Sequence, residues 1–351
     1  MYALARPLLF ALNAEAAHRL TLVGLRVGHR VGLLGLLAAA QPAEPVELMG
    51  LTFANRIGLA AGFDKNAACV DAMGALGFGF VEVGTLTPKG QAGNPKPRVF
   101  RLPKARAVIN RMGFPNDGVA AAIGHLRKRR YTGVCGVNIG KNAATPLEQA
   151  TSDYVSALQA VYEYADYVTI NISSPNTQGL RQLQEGEQLR PLLQALLATR
   201  AQLAERIGWQ VPLVVKLSPD LSSNELAGTA QVIHELGLDG VIATNTTLDR
   251  AAVTGVRHAH RAGGLSGEPL RERSLAVVRQ LRALLGPDMP LIGVGGISSA
   301  ADAAAMLAAG ADLIQVYTGL IYRGPGLVRE LVAAERVARP KNRPKERHKA
   351  P

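Results

Sequence analysis

The 351-residue sequence predicts an α/β fold, a parallel (β/α)8 TIM barrel preceded by an N-terminal two-helix extension. Three observations predict it. From about residue 57 the chain repeats one plan, a short apolar strand, a polar or Gly-rich loop and an Ala/Leu-rich helix, eight times. Each strand runs into amides, hydroxyls, lysines or glycines at its carboxyl end. The first 41 residues instead follow helical periodicity. A doubly wound open sheet is the structural rival, and the count of eight units favours the barrel.

In chain order, a short apolar helix is expected near residues 2–11. A second helix follows, with Asn13 as its N-cap before Ala14-Glu15-Ala16. His18, Leu22 and Leu25 share one face of that second helix. The pair either closes one end of the barrel or lies in a membrane interface, its arginines meeting anionic head groups. Val46–Asn55 reads as a hairpin plugging the barrel bottom. The strands are expected at Ile57–Ala60, Phe80–Gly84, Val134–Ile139, Tyr167–Asn171, Leu213–Leu217, Gly240–Thr244, Leu291–Val294 and Leu313–Tyr317. Helices are expected near 66–77, 116–130, 150–163, 186–207, 222–236, 272–285, 298–309 and 326–337. The chain therefore divides into an extension (1–41), a catalytic barrel (42–338) and a basic tail (339–351).

A composition 48% hydrophobic and 19% charged is that of a globular chain with a sizeable core. Cys69 and Cys135 lie far apart without metal-ligand spacing and read as reduced core residues; no metal site is expected. The net charge of +12 is uneven: residues 339–351 carry six Lys/Arg against one Glu, and residues 1–41 four Arg against one Glu. The tail reads as solvated chain. Residues 20–40 are interrupted by Arg26, His29 and Arg30 and do not read as a membrane span, nor does the N-terminus read as a signal peptide.

Eight independent turns seldom collect so much polarity on one rim, so one site is expected there. The richest strand end is Asn171-Ile-Ser-Ser-Pro-Asn176, whose amides and hydroxyls suit a flat ligand with many hydrogen-bonding groups. Gly293-Val-Gly-Gly-Ile-Ser298 and Tyr317-Thr-Gly319 follow strands seven and eight, where such barrels hold phosphate. Lys65 and Lys216 stand at strand ends, and lysine charge there would stabilise a reduced flavin. No Gly-x-Gly-x-x-Gly fingerprint opens the barrel, which favours a mononucleotide over a dinucleotide.

Nine segments carry a family resemblance: Gly58–Lys65, Glu82–Thr85, Pro95–Arg98, Asn110–Phe114, Asn138–Asn142, Asn171–Asn176, Asp239–Thr247, Gly263–Gly267 and Gly293–Ile297. In this order the chain, up to about residue 335, closely resembles dihydroorotate dehydrogenases, flavin enzymes of pyrimidine synthesis. The family's soluble class has cysteine at the position of Ser174. Its membrane-associated, quinone-reducing class has serine there and an N-terminal helical extension, as this chain does.

The resemblance implies FMN held by Ala61, Gly62, Phe63, Asp64, Lys65, Thr85, Asn138, Asn171, Lys216, Thr244, Gly267, Gly296, Tyr317 and Thr318. It implies a dihydroorotate pocket of Lys65, Asn110, Arg111, Met112, Gly113, Phe114, Asn171, Asn176, Asn245 and Thr246. Orotate has two carbonyls, two ring N–H groups and a carboxylate, which four asparagines and a lysine can satisfy. Ser174 is implied as the base taking the C5 proton while hydride leaves C6 for the flavin, with Thr177 and a water near Phe114 relaying the proton. His18, Arg101 and Tyr317 match the quinone end of the tunnel.

The implied setting is a peripheral monomer on the cytoplasmic face of the inner (cell) membrane, meeting an anionic lipid surface and no nucleic acid. Pro115 stands where asparagine is expected and bears on the stiffness of the substrate loop. Rival readings are a soluble-class dihydroorotate dehydrogenase, a tRNA dihydrouridine synthase, whose base is a cysteine, and a non-catalytic barrel that binds a phosphorylated ligand.

Overall fold

A computed structural model of the chain describes residues 2–36, 45–184 and 186–338. The basic tail and residues 37–41 of the extension lie outside the described residues. Eight parallel strands close into a barrel: β3 (Ile57–Leu59), β4 (Phe80–Leu86), β7 (Val134–Ile139), β8 (Tyr167–Asn171), β9 (Leu213–Leu217), β10 (Gly240–Ala243), β12 (Leu291–Val294) and β13 (Leu313–Val316), with β13 pairing back onto β3. All eight lie where the apolar runs predict them, to within a residue or two at the ends.

Side chains alternate across each strand, and the two faces bury different cores. Val168 and Ile170 of β8 join the core between strands and helices, whereas Tyr167 turns inward to the barrel floor with Phe80, Val134, Val214, Ile242, Ile292 and Leu313. The floor is sealed by the expected hairpin, β1 (Val46–Leu48) and β2 (Leu51–Phe53). Phe53 is fully buried and meets Phe80 edge-on at 5.2 Å.

At that end a single device recurs. Asp166, Asp239 and Asp312 each stand just before a strand and accept an N–H from the start of the preceding barrel strand, that of Cys135, Leu213 and Leu291 respectively. Each is also paired with an arginine: Arg129, Arg200 and Arg282. A carboxylate shared by a backbone donor and a guanidinium pins strand register through charge-assisted hydrogen bonds.

The surrounding helices are α3 (Val70–Gly74), α4 (Val119–Leu126), α5 (Ala150–Val161), α6 (Gly186–Ile207), α7 (Ser223–Leu236), α8 (Arg271–Leu285), α9 (Ala300–Ala308) and α11 (Gly326–Ala338). Two are shorter than the sequence predicts. The helix expected over 66–77 starts only at Val70, because the Asp64 carboxylate takes the backbone N–H groups of Asn66, Ala68 and Cys69 and wraps the chain around itself. The helix expected over 116–130 starts at Val119, because the Asn116 side chain is spent on the backbone of Thr87 and Gly118.

Two features were not foreseen. A short helix, α10 (Thr318–Arg323), follows β13, and an antiparallel sheet of β5 (Val99–Leu102), β6 (Ala107–Asn110) and β11 (Gly264–Gly267) rises from the loops after β4 and β10. The extension forms the two expected helices, α1 (Tyr2–Ala11) and α2 (Ala14–Arg30), and Asn13 accepts from the N–H groups of Glu15 and Ala16. They lie at the carboxyl-terminal rim: Glu15 pairs with Arg98 at 3.0 Å, and Tyr2 donates to the Ile321 carbonyl of α10.

Candidate active site

One continuous cavity of about 530 Å³ runs from the barrel mouth, under the antiparallel sheet, to a passage between α1 and α2. Its size is that of a cofactor or substrate pocket. The mouth contributes Lys65, Thr85, Asn171, Ser174, Lys216 and Thr244; the sheet and its loops contribute Asn110, Met112, Gly113, Phe114, Asn245, Thr246 and Gly267. Tyr2, Phe10, His18, Thr21 and Leu25 line the passage. Residues far apart along the chain thus share one space, as the polar strand ends predict.

At the mouth, Asn171 donates to Thr85 Oγ1 at 2.9 Å and to Asn138 Oδ1 at 3.1 Å. Asn245 donates to Asn171 Oδ1 at 3.3 Å and to Ser173 Oγ at 3.0 Å. Across the cavity, Asn176 Nδ2 donates to Asn110 Oδ1 at 3.1 Å, leaving Asn110 Nδ2 and Asn176 Oδ1 without a protein partner among the described residues, while the Asn176 backbone carbonyl accepts from Asn94. Ser174 Oγ accepts the N–H of Asn176 at 3.2 Å. The Asn110–Phe114 loop is held rigidly, since the carbonyl of Phe114 accepts from both Gln91 and Asn116 and that of Gly113 from Gln91. Pro115 therefore sits in a loop already fixed from outside.

The electrostatics of the mouth are positive. Lys216 is buried and forms neither an ion pair nor a side-chain hydrogen bond among the described residues; burial lowers its pKa, and the charge of Glu82 opposes that. Lys65 donates to the Gly62 carbonyl. Although it faces the cavity, protein surrounds it closely, and burial brings its pKa down to about 8, Asp64 opposing and Arg98 assisting. Lysines desolvated without a carboxylate partner suit an anionic or electron-rich ligand.

The loops after β12 and β13 touch: these strands are paired, and a side chain added at Gly319 would come 2.3 Å from the Ile297 carbonyl. Thr318 is joined to Ser266 of β11 at 2.8 Å, so the sheet, the loops and the barrel converge there. Buried cations, amides and Gly-rich loops fit a flavin mononucleotide in both its ring and its phosphate.

On the passage side, His18 meets Phe63 edge-on at 5.2 Å, and Phe63 meets Tyr317 at 5.9 Å. These rings line the route from helix pair to mouth. Burial, then the Lys65 charge, lower the His18 pKa to about 3, so the ring is neutral. Arg101 lies over the Phe10 ring at 4.6 Å and donates to the carbonyls of Leu9 and Leu12, clasping the end of α1.

Four predicted site residues do not line the cavity. Asp64 caps the loop before α3, and Asn138 lies one row deeper beneath Thr85. Arg111 turns away, donating to the Pro97 carbonyl 2.9 Å off. Thr177 is buried behind the mouth, its hydroxyl without a partner among the described residues. Lining residues that the sequence did not assign to the site include Ser266 and Gln315 at the mouth and Tyr2, Phe10 and Thr21 along the passage. Gln315 carried a signal, a lone amide inside the apolar run Leu313-Ile314-Gln315-Val316.

Fold and site together define a barrel enzyme with one polar mouth and an apolar side passage. The family model for dihydroorotate dehydrogenase matches residues 45–334. A dihydroorotate dehydrogenase (quinone) of Paracidovorax citrulli is 54% identical over 348 residues, 95% of this chain and 97% of that protein. Its counterpart in Azotobacter vinelandii is 53% identical, covering 95% of this chain and 96% of the relative. Among solved structures, the DHODH of Eimeria tenella in complex with ferulenol superposes with a TM-score of 0.83 at 38% identity, covering 91% of this chain and 90% of that one. The chain belongs to the dihydroorotate dehydrogenase family.

Proposed function

We propose that the chain oxidises dihydroorotate on FMN held at the barrel mouth, with Ser174 as the base, and delivers the electrons to a quinone that arrives between α1 and α2. The oxidation itself follows from family membership: the enzyme is a flavin-dependent oxidoreductase of pyrimidine biosynthesis that converts dihydroorotate to orotate. The quinone is the acceptor in the names of relatives more than half identical along nearly their whole length. The observation that carries the reading is the single cavity, which joins Ser174 and the asparagine cluster to the apolar passage.

Bound FMN supplies a hydride acceptor for the substrate and an electron donor for the quinone. Thr85, Asn171 and Lys216 would hold its ring, and the Gly295–Ser298 loop and the Tyr317–Gly319 turn that opens α10 its phosphate. Lys216 balances negative charge on the ring. Asn110, Asn171, Asn176 and Asn245 hold the substrate ring, and protonated Lys65 holds its carboxylate. Ser174 takes the C5 proton. A serine hydroxyl is a weak base, so the proton must move on; the buried, unpartnered Thr177 hydroxyl is the relay within the protein.

The helix pair exposes Leu4, Leu8, Leu20, Val23, Val27 and Val31, beside Arg6, Arg19, Arg26 and Arg30. Among the described residues no helix is long and apolar enough to cross a membrane. An apolar face rimmed by arginines is suited to lie in an anionic interface, where a quinone has direct access to the passage. The enzyme works as a peripheral monomer on the cytoplasmic face of the cell membrane, without nucleic acid.

Three measurements test these points. In anaerobic stopped-flow experiments, Ser174→Ala should slow flavin reduction by dihydroorotate about 10²–10⁴-fold, the usual worth of a general base, and leave reoxidation by ubiquinone unchanged; full-speed reduction would exclude Ser174 as the base. Lys65 is charged below its pKa of about 8 and neutral above it, so kcat/KM for dihydroorotate should fall as pH rises through about 8. A flat profile from about pH 7 to about pH 9.5 would remove Lys65 from carboxylate binding. Flotation with vesicles should show binding to anionic and not to zwitterionic lipid, lost in Leu4→Glu/Leu8→Glu; equal binding by that variant would place the membrane face elsewhere.

A further inference from the structure

We propose that Glu82, buried on β4 beneath the mouth, is a positioning residue that fixes which way the substrate-facing asparagines point. The inference rests on the reading that Asn171 and Asn245 bind dihydroorotate.

The side chains form one head-to-tail run. The backbone N–H of Thr246 donates to Asn245 Oδ1 (2.8 Å), Asn245 Nδ2 to Asn171 Oδ1 (3.3 Å), Asn171 Nδ2 to Asn138 Oδ1 (3.1 Å), and Asn138 Nδ2 to Glu82 Oε1 (2.8 Å). Turning an amide over exchanges donor for acceptor, so three asparagines among themselves do not determine a direction. The two ends do. A carboxylate that receives three donors acts only as acceptor and the Thr246 N–H only donates, and both demand the same sense, as does the Ser173 N–H that reaches Asn171 Oδ1 at 3.4 Å.

The neighbours of Glu82 agree with this role. Its second oxygen accepts from Tyr167 Oη at 2.9 Å and from Gln315 Nε2 at 2.7 Å, so all three contacts arrive as donors. Glu82 is fully buried and forms no ion pair among the described residues. A fully buried acid is costly in a barrel floor that a leucine or glutamine would fill more cheaply. What only the acid provides is an unambiguous acceptor at the base of the run. Its negative end also polarises each amide in turn, making Asn171 Oδ1 and Asn245 Oδ1 stronger acceptors for ring N–H groups.

The test is calorimetric binding of orotate to the flavin-loaded protein, with flavin content and thermal midpoint recorded for each variant. Glu82→Gln keeps the shape but offers both a donor and an acceptor, so Asn138 is no longer held in one sense. Orotate should bind about tenfold more weakly, the worth of one misdirected buried hydrogen bond.

The double variant E82Q/N138D restores the direction, since the new glutamine would donate to an acceptor-only aspartate. Affinity should return to within about threefold of wild type, as expected when a complementary pair is re-formed. Normal affinity in E82Q, or no recovery in the double variant, would overturn the proposal. If E82Q does not fold, Asn138→Leu breaks the run one link higher with Glu82 intact; the same loss of affinity is expected there, and normal affinity would overturn the proposal equally. A wild-type enzyme that binds no orotate would instead refute the underlying reading of the pocket.

Discussion

Closure of eight parallel strands is the constraint on which the rest of the molecule depends. It puts every strand's carboxyl end on one rim, and the two-residue alternation then decides what each inward position meets. Along β8 the inward residues run Tyr167, Thr169, Asn171, from an apolar floor to a polar mouth. β4 does the same from Phe80 to Glu82, and β13 from Leu313 through Gln315 towards Tyr317. Each strand thus passes from an apolar packing surface to a polar rim, divided by height. The hairpin that carries Phe53 makes the division workable, because it keeps water out of the floor and leaves the mouth as the barrel's open end.

Charge is partitioned by the same geometry. At the amino-terminal ends of the strands, aspartates are satisfied by arginines and backbone N–H groups, and they serve register. At the mouth the lysines are left without carboxylate partners, while the nearby acids stand behind them: Asp64 in a loop cap and Glu82 under a row of amides. A buried cation without a partner is unfavourable until an anion or electron-rich ring arrives, so stability is given up where binding is needed. The depressed pKa of Lys65 expresses that cost.

The sequence revealed the barrel because its signal is local: each strand is a short β-branched run bounded by polar residues, and each helix has its own period. The site was legible for a related reason, since barrel strand ends must converge whatever the intervening chain does. What stayed hidden was non-local. The β5–β6–β11 sheet is built from short strands that leave loops far apart along the chain, and it is tied to α2 by the buried Arg98–Glu15 pair. No short-range pattern carries such a contact. Motif membership also does not separate a residue that touches the cavity from one that braces it. Asp64 belongs to the same motif as Lys65 yet stands behind it, Asn138 opens a motif of its own yet lies beneath Thr85, and Arg111 faces the opposite side of its loop from Met112.

In the proposed function one cavity serves two half-reactions through two different ends. Thr21 lines the passage between the helices, far along the chain from every mouth residue, and its hydroxyl donates to the Ala17 carbonyl of its own helix. The most direct measurement is stopped-flow kinetics of both half-reactions in Thr21→Trp, which fills the passage and leaves the mouth intact. Flavin reduction by dihydroorotate is expected at the wild-type rate and reoxidation by ubiquinone slowed about tenfold or more, as overfilling a fitted passage entails. Unimpaired reoxidation, or equal slowing of both halves, would contradict it.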